Sequence, residues 1–343
     1  MKHLITGGSG FIGDLVARRL RERDEQVRVL DIWEDTSRPK DIEYVECSVL
    51  NRHGVAQAMK GVDVVHHNAA LVAQTAAGKM YWQVNVEGSR IVAEEAAKAG
   101  VQAFIHTSST SVFGIPPKDG GPITNQTPTK PAEAYGRSKL AGEKLTEEIC
   151  EKHGIPLITI RPRATLGAGR LGIFQILFQW IKENRNVYVI GSGNNKFQFI
   201  HALDLIDFYM LALDKGKTGT YNVGTDEFST LRGDIGSLIQ YAGSRSKIKS
   251  LPEGLTINTL RVLHFIKLSP LVPYHYMTYH TSCYFDVQPL LDMGWKPRYS
   301  NINMLKESYD WFLEGAKTSR FEQKSPHRSP LKQGILWLLK KMS

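Results

Sequence analysis

The sequence predicts an α/β protein with a doubly wound parallel sheet and a smaller C-terminal part. Two observations lead to this prediction. Short β-branched runs alternate with segments of helical period through the first half of the 343-residue chain. After Arg161-Pro162 the alternation stops, and a glycine-broken loop at 167–172 precedes a helical segment at 173–183. We therefore expect one wound sheet, with its last strands interleaved with the smaller part.

The alternation sets the order of the elements. Strands are predicted at 2–6, 27–31, 44–47, 62–67, 103–107 and 157–161, with later ones near 187–190 and 220–223. Helical segments at 81–99 and 135–153 supply the long crossovers that parallel strands require. Residues at the carboxyl ends of these strands should share one edge of the sheet, where ligands of such sheets bind.

The first strand runs into a glycine-rich loop, residues 6–13 with the sequence TGGSGFIG, which opens directly into a helix. Glycine turns tightly and has no Cβ, so the backbone can approach a diphosphate while the helix N-terminus attracts its charge. This motif predicts a Rossmann-type dinucleotide site. The predicted contacts in the loop are Gly7, Gly10, Phe11, Ile12 and Gly13.

The second strand ends in Asp31, about 20 residues beyond the loop, where a carboxylate can bind the adenosine ribose hydroxyls. A carboxylate there repels a 2′-phosphate, so we expect NAD as the cofactor in preference to NADP. Arg38, nearby in sequence, could instead favour NADP by pairing with its 2′-phosphate.

The dinucleotide motif and the change of pattern after Arg161-Pro162 divide the chain into a dinucleotide-binding domain at 1–165, a mainly substrate-binding part at 166–316 and a basic tail at 317–343.

The formal net charge of +9 predicts an anionic partner: nucleic acid, a phosphorylated substrate or an acidic membrane surface. Much of the basic charge lies beyond residue 316, and the chain has no helix-turn-helix, zinc or RNA-binding pattern. We therefore expect no nucleic-acid partner.

Segment 330–341 combines a tryptophan and leucines with lysines, which suits a helix lying in an acidic membrane interface. Docking on the protein's own surface is the alternative.

The three cysteines are scattered without metal-ligand spacing, which fits a reducing compartment. The pair His66-His67 has no carboxylate or cysteine at ligand spacing, so we expect strand packing and no metal site.

The first strand begins at Lys2, and no apolar run reaches the length of a spanning helix. We expect a cytoplasmic protein, in part peripheral to the membrane.

Tyr135 and Lys139 stand at i and i+4 at a helix start, on one face of that helix. Ser109 follows an apolar strand whose end should lie beside the same crevice. Oxidation of an alcohol by a nicotinamide needs a base for the hydroxyl proton, and a nearby cation must favour the phenolate of a tyrosine that serves as this base. We predict Tyr135 as the base, Lys139 as the cation and Ser109 as the group that holds the reacting oxygen.

Together these residues resemble the extended short-chain dehydrogenases/reductases, the group of NAD-dependent epimerases, dehydratases and 3β-hydroxysteroid-type dehydrogenases. The resemblance covers roughly residues 2–314, including the loop 6–13, the sequence NAA at 68–70, the sequence NVEGS at 85–89 and the sequence FIHALD at 199–204. It implies that Ser109, Tyr135 and Lys139 are catalytic. The further cofactor-binding residues that it implies are Asp31, Ala69, Asn85, Thr107, Tyr135, Lys139 and Pro162. Family members often dimerise through helices equivalent to 81–99 and 135–153.

Some positions depart from the pattern of the nucleotide-sugar enzymes in this family. Those enzymes usually have an asparagine after the arginine strand, where this chain reads RAT at 163–165, and an arginine before FIH, where it reads NKFQ at 195–198. Arg163, Arg170 or Lys196 could bind a phosphate in their place. The apolar segment 255–272 suggests a greasy substrate, although core packing explains it equally well.

We expect an enzyme acting on a secondary alcohol or ketone of a nucleotide- or lipid-linked sugar, as an epimerase or dehydratase. The alternative is a 3β-hydroxysteroid-type dehydrogenase or reductase of a lipid or sterol-like alcohol. A non-catalytic dinucleotide-sensing protein is the alternative of another class, and the intact Ser109, Tyr135 and Lys139 set argues against it.

Overall fold

The computed structural model describes residues 1–72, 77–116, 121–170, 172–266 and 273–317. The strands are β1 (Lys2–Thr6), β2 (Gln26–Asp31), β3 (Glu43–Glu46), β4 (Val64–His67), β5 (Ala103–Thr107), β6 (Leu157–Pro162), β7 (Ala164–Leu166), β8 (Val187–Ile190), β9 (Phe199–His201), β10 (Gly219–Val223) and β11 (Ile248–Leu251). The helices are α1 (Phe11–Arg21), α2 (Arg52–Ala58), α3 (Met80–Trp82), α4 (Ser89–Ala99), α5 (Ala134–His153), α6 (Phe174–Lys182), α7 (Ala202–Asp214), α8 (Leu231–Tyr241), α9 (Glu253–Phe265), α10 (Pro273–Thr278), α11 (Gln288–Asp292) and α12 (Asn301–Lys317).

The main sheet has seven parallel strands in the order β10-β6-β5-β4-β1-β2-β3. The predicted doubly wound parallel sheet is confirmed, and β10 from the C-terminal half completes it. Two small parallel pairs, β8 with β11 and β7 with β9, lie in the part of the chain that follows β6.

Alternate residues of the central strands enter two separate apolar cores. Ile5 and Ile105 pack into the core that also holds residues of α1, α7 and α12. Leu4 and Phe104 pack into the core with residues of α2 and α4. Each central strand is therefore covered on both faces, as is usual in parallel sheets, and its buried residues include histidines as well as apolar side chains.

The helix predicted at 81–99 is divided into α3, a π turn over Gln83–Gly88 and α4. The neighbouring helix α5 approaches this turn closely at Gly142, where a Cβ would lie 2.1 Å from the carbonyl oxygen of Asn85. Ser89 donates a hydrogen bond of 2.8 Å to the same carbonyl. Single π turns of this kind occur frequently at functional sites.

Within the described residues, no helix combines the length and apolar character needed to cross a bilayer. The predicted membrane-binding segment 330–341 lies outside the described residues.

Candidate active site

The glycine loop brings the start of α1 close to the end of β4. Gly7 has a φ of +67°, and a Cβ on it would lie 2.7 Å from backbone atoms of Ala69. A Cβ on Gly13 would lie 2.2 Å from the carbonyl oxygen of Gly7, so no other residue fits there without moving the backbone. Gly10 is the N-cap of α1, and no side chain in the described part of the chain caps this helix. The N–H groups of the first turn are therefore available to an anion.

Asp31 lies beside the loop at the end of β2. Its carboxylate accepts hydrogen bonds from the N–H groups of Ser9, at 3.0 Å, and Ile32, at 2.7 Å. Burial raises the pKa of Asp31, and these backbone donors oppose that shift. Arg38, the residue that could favour NADP, pairs with Glu34 at 3.3 Å.

Tyr135 and Ser109 form a second part of the candidate site. Tyr135 starts the first turn of α5, where Glu133 caps the helix by accepting from its N–H at 2.8 Å. The phenol is buried. Burial raises the pKa of Tyr135, whereas the Ser109 hydroxyl and the guanidinium of Arg170 lower it. Arg170 also lies over the ring of Phe11 at 5.7 Å, beside the glycine loop.

Lys139 is buried one turn further along α5. Its Nζ donates a hydrogen bond of 2.6 Å to the carbonyl oxygen of Thr107 at the end of β5. Burial lowers the pKa of Lys139 to about 8, and Glu143 opposes the shift. The sequence predicts Lys139 as the cation beside the phenol. In the structure the guanidinium of Arg170, which the sequence suggested only as a phosphate ligand, is a further cation whose charge lowers the pKa of Tyr135.

Thr107 belongs to a buried polar group that the sequence did not reveal. Its hydroxyl donates to the side-chain oxygen of Asn68 at 2.6 Å and also hydrogen-bonds the phenol of Tyr209, which is fully buried on α7. The phenol oxygen of Tyr209 lies 3.3 Å from the same oxygen of Asn68. Asn68 belongs to the sequence NAA at 68–70 that carries the family resemblance, but Tyr209 lies in a helix about 100 residues away from Thr107, with no pattern to mark it.

The remaining predicted residues line the same edge. Asn85 donates from its amide to Ser138 at 3.0 Å, and its oxygen accepts from the N–H of Leu71 at 2.8 Å. Pro162 ends β6 and is paired in register with Val223 of β10. All of these positions lie at the carboxyl ends of strands or on the helices that follow them, as predicted.

Comparison with known proteins identifies the family. Residues 3–224 match the model of the NAD dependent epimerase/dehydratase family. This chain belongs to that family. It is 38% identical over 337 residues to the uncharacterized protein y4nG of Sinorhizobium fredii, covering 98% of this chain and 85% of that protein. It is 28% identical over 218 residues to sterol-4-alpha-carboxylate 3-dehydrogenase, decarboxylating, of Mus musculus, covering 62% of this chain and 59% of that enzyme.

Among solved structures, the fold is similar to that of UDP-glucose 4-epimerase from Thermotoga maritima, determined with UDP-glucose. The TM-score is 0.76 at 20% identity, and the match covers 92% of this chain and 100% of that chain. At this identity the likeness concerns the fold. Membership of the NAD dependent epimerase/dehydratase family makes the protein an NAD-dependent enzyme, as predicted.

The residues at the glycine loop of this epimerase/dehydratase family member fit NAD. The uncapped first turn of α1, with the N–H groups of Phe11 and Ile12, would hold the diphosphate. Asp31 would bind the adenosine ribose, and Ala69, whose backbone touches Gly7, would line the cofactor. The close packing at Gly7 and Gly13 supports the loop shape that this contact requires.

The three candidates for a phosphate ligand differ in their surroundings. Arg163 is fully buried and donates to the carbonyl of Gln198 at 3.0 Å and to Thr110 and Cys283 at 2.9 and 3.0 Å. The guanidinium of Arg163 is therefore buried and hydrogen-bonded inside the protein, and it does not reach a substrate. Lys196 is exposed beside the ring of Tyr284. Arg170, half-buried against the glycine loop, is the candidate inside the site.

Helix α9 carries part of the apolar segment that suggested a greasy substrate. Leu260 is buried, but Leu255, Val262, Phe265 and Ile266 are exposed, Phe265 by 86%. These four side chains face solvent, so they neither fill the core nor line a closed pocket. Residues 267–272 of the same segment lie outside the described residues.

A search for metal ligands gives a negative result within the ranges that the structure describes. No group of three or more histidine, cysteine, aspartate or glutamate side chains there could hold a metal ion. The three cysteines are free and buried. His66 bonds His3 at 3.0 Å, and His67 bonds Thr6 and Ser89, which is the strand packing that the sequence predicted for this pair.

Proposed function

We propose that this enzyme interconverts a secondary alcohol and a ketone on a nucleotide- or lipid-linked sugar, with epimerisation or dehydration as the net outcome. The proposal rests on one observation. Ser109, the Tyr135 phenol and the Arg170 guanidinium lie together beside the glycine loop. A hydroxyl donor, a proton-transfer group and a cation next to a nicotinamide site are what this reaction needs.

NAD, when bound, supplies the hydride acceptor. Ser109 hydrogen-bonds the reacting oxygen, and the phenolate of Tyr135 takes its proton as the carbon–oxygen double bond forms; the same phenol returns the proton in the reverse direction. Because burial raises the pKa of Tyr135, the phenolate depends on positive charge. The charge of Arg170 lowers the pKa of the phenol. Lys139, whose Nζ donates to the carbonyl oxygen of Thr107 at the end of β5, supplies a second positive charge.

The first experiment identifies the bound molecules. Denaturing the purified protein and analysing the released small molecules by mass spectrometry should yield NAD or NADH, together with any retained substrate or product. Once a substrate is known, Tyr135→Phe should abolish turnover while NAD binding is kept. Tyr241→Phe, a change at an exposed tyrosine bonded to Asp310, is the matched control. Full turnover by Tyr135→Phe would remove the assignment of the base.

A dehydrogenase or reductase of a lipid alcohol is the second candidate, favoured by Arg163, whose guanidinium is buried and bonded to Gln198, Thr110 and Cys283 and so is not available to bind a nucleotide phosphate. The two candidates differ in the fate of the reduced cofactor. An epimerase or dehydratase retains its NADH and needs no external NAD, whereas a net dehydrogenase consumes it. Following absorbance at 340 nm with the identified substrate separates them.

Contact with an acidic membrane surface remains part of the proposal. Segment 330–341 would supply it, and the exposed side chains of α9 offer a second apolar surface in the described part of the chain. The full-length chain should sediment with vesicles containing anionic lipid. Deleting residues 329–343 should abolish that sedimentation, and unchanged sedimentation would refute the tail's role.

We also propose a homodimer through α4 and α5. The exposed side chains of Met80 and Trp82, at 53% and 55%, lie on α3 just before this pair of helices and would be covered. Sedimentation velocity should show a dimer at micromolar concentration. Replacing Trp82 by glutamine should weaken it, whereas a monomeric wild-type protein would contradict the proposal.

A further inference from the structure

A continuous series of buried hydrogen bonds runs beneath the sheet from the glycine-loop strand to the first turn of α5. Each of its members except Tyr135, at 9%, is at most 1% exposed. We call it the His67 chain, and its successive links are Thr6 Oγ1 to His67 Nδ1 at 2.7 Å, His67 Nε2 to Ser89 Oγ at 2.9 Å, Ser89 Oγ to Asn85 O at 2.8 Å, Asn85 Nδ2 to Ser138 Oγ at 3.0 Å, and Ser138 Oγ to Tyr135 O at 2.8 Å.

The acceptors in the His67 chain determine where its protons lie. A carbonyl oxygen can only accept, so the single hydroxyl hydrogen of Ser89 points to Asn85. The Nε2 of His67 must then be the donor to Ser89. In a neutral imidazole this leaves Nδ1 as the acceptor, so the hydroxyl of Thr6 donates to it. The ring is thereby held as one tautomer, and every link donates in the same direction.

The two ends of the His67 chain lie at the two halves of the candidate site. At the first end, Thr6 Oγ1 accepts a long hydrogen bond of 3.4 Å from the N–H of Ala69, a predicted cofactor-lining residue. At the other end, the chain holds the carbonyl of Tyr135, the predicted base. Residues near the ring are Lys139, which acts on it electrostatically, and His106, whose ring lies 5.5 Å away.

We propose that His67 is a positioning residue with two separate roles, and that its neutral Nε2–H tautomer holds the cofactor-lining backbone at Ala69 through Nδ1 and the catalytic helix at Tyr135 through Nε2. The inference rests on the proposed function, because it takes Tyr135 as the base. His67 touches neither substrate nor cofactor. It acts through Thr6 on one side and through Ser89, Asn85 and Ser138 on the other.

Burial and the charge of Lys139 lower the pKa of His67 to about 3, so the ring stays neutral across the range in which enzymes usually work. Substitutions can therefore test its two nitrogens separately. An asparagine places its amide near the position of Nδ1 and can still accept from Thr6. A glutamine reaches the position of Nε2 and can still donate to Ser89.

The test uses two measurements that need no substrate. NADH fluorescence titration of the full-length protein reports the cofactor side. The titration of Tyr135 in the NAD-bound protein, followed by NMR of protein labelled with ¹³C at the tyrosine ζ carbon, reports the catalytic side. The Tyr135 signal is the one missing from Tyr135→Phe.

We expect the two His67 variants to differ, each changing one of the two measurements and leaving the other unchanged. His67→Gln should weaken NADH binding about fivefold, the effect of one lost hydrogen bond, with the Tyr135 titration unchanged. His67→Asn should retain NADH affinity but move the midpoint of the Tyr135 titration by at least half a pH unit. The matched control His66→Gln changes a buried histidine of the same strand on the opposite face, and should alter neither readout.

If both His67 variants behave like His66→Gln, or if both shift the two readouts equally, His67 is only a packing residue and the proposal is overturned. Should either variant fail to fold, Thr6→Val and Ser89→Ala break the same two links and carry the same pair of expectations. Neither readout depends on turnover. A failure of the proposed reaction would therefore appear as full activity of Tyr135→Phe, and a failure of the two positioning roles of His67 as the absence of this difference between the variants.

Discussion

Four buried histidines in the main sheet should make the folded protein sensitive to mild acid. They are His3 on β1, His66 and His67 on β4, and His106 on β5, and each is at most 1% exposed. Burial lowers the pKa of His3 to about 4 and that of His67 to about 3, and it lowers the pKa values of His66 and His106 well below 6.5. The neighbouring charge of Glu25 opposes the shift at His3, whereas that of Lys139 adds to it at His67 and His106.

Acid should destabilise the folded protein, because protons bind to these histidines more readily in the unfolded chain. The unfolded chain binds a proton on each histidine below pH 6.5, whereas the folded chain does not until the lowered pKa is reached. The free energy of unfolding therefore has its full value above pH 6.5. Below that pH it falls by about 1.4 kcal/mol per pH unit for each histidine. Between pH 7 and pH 5 each histidine should lower the free energy of unfolding by about 2 kcal/mol and the four together by about 8 kcal/mol, which is comparable to the whole stability of a typical domain.

Urea unfolding followed by circular dichroism at pH 7.5, 6.5, 5.5 and 5.0 measures this loss directly. His106 offers the sharpest variant, because neither of its ring nitrogens has a hydrogen-bond partner in the described part of the chain. His106→Leu should remove one of the four contributions and reduce the pH dependence by about a quarter. His153→Gln, at the exposed end of α5, is the control. A free energy of unfolding that stays constant between pH 7.5 and 5 would refute the reasoning.

Three further predictions concern the candidate site. Gly13→Ala should abolish NADH binding in a fluorescence titration, because its Cβ would lie 2.2 Å from the carbonyl of Gly7, whereas Gly121→Ala, with nothing within 4 Å, should bind normally. Asp31→Ser should reduce the ratio of NAD affinity to NADP affinity at least tenfold in competition titrations. An unchanged ratio would show that Asp31 does not bind the ribose. Turnover should fall above about pH 8 as Lys139 loses its proton, and Lys139→Arg should move this alkaline limb upward; an unmoved limb would assign it to another group.

Patterns that depend on neighbours in sequence predicted most of the fold. The glycine spacing at 6–13, the acid at Asp31 and the i, i+4 pair at Tyr135 and Lys139 are local features, and each imposes a local geometry. The alternation of strands and helices likewise predicted the parallel sheet, because each strand must be covered on both faces. The division of the helix at 81–99 by a π turn was not predictable, since it depends on the close approach of Gly142 from α5.

The sequence by itself determined the family, the cofactor and the carboxyl edge at which the site lies, because these follow from short motifs and from the period of the apolar residues. Only the tertiary structure decided which arginine lies beside the glycine loop and which is buried in the interior. It placed Arg170 over the ring of Phe11, buried Arg163 beside Thr110, and joined Thr6 to Tyr135 through His67. These contacts join residues far apart in the chain, and their partners are set by packing between elements, which no local pattern records.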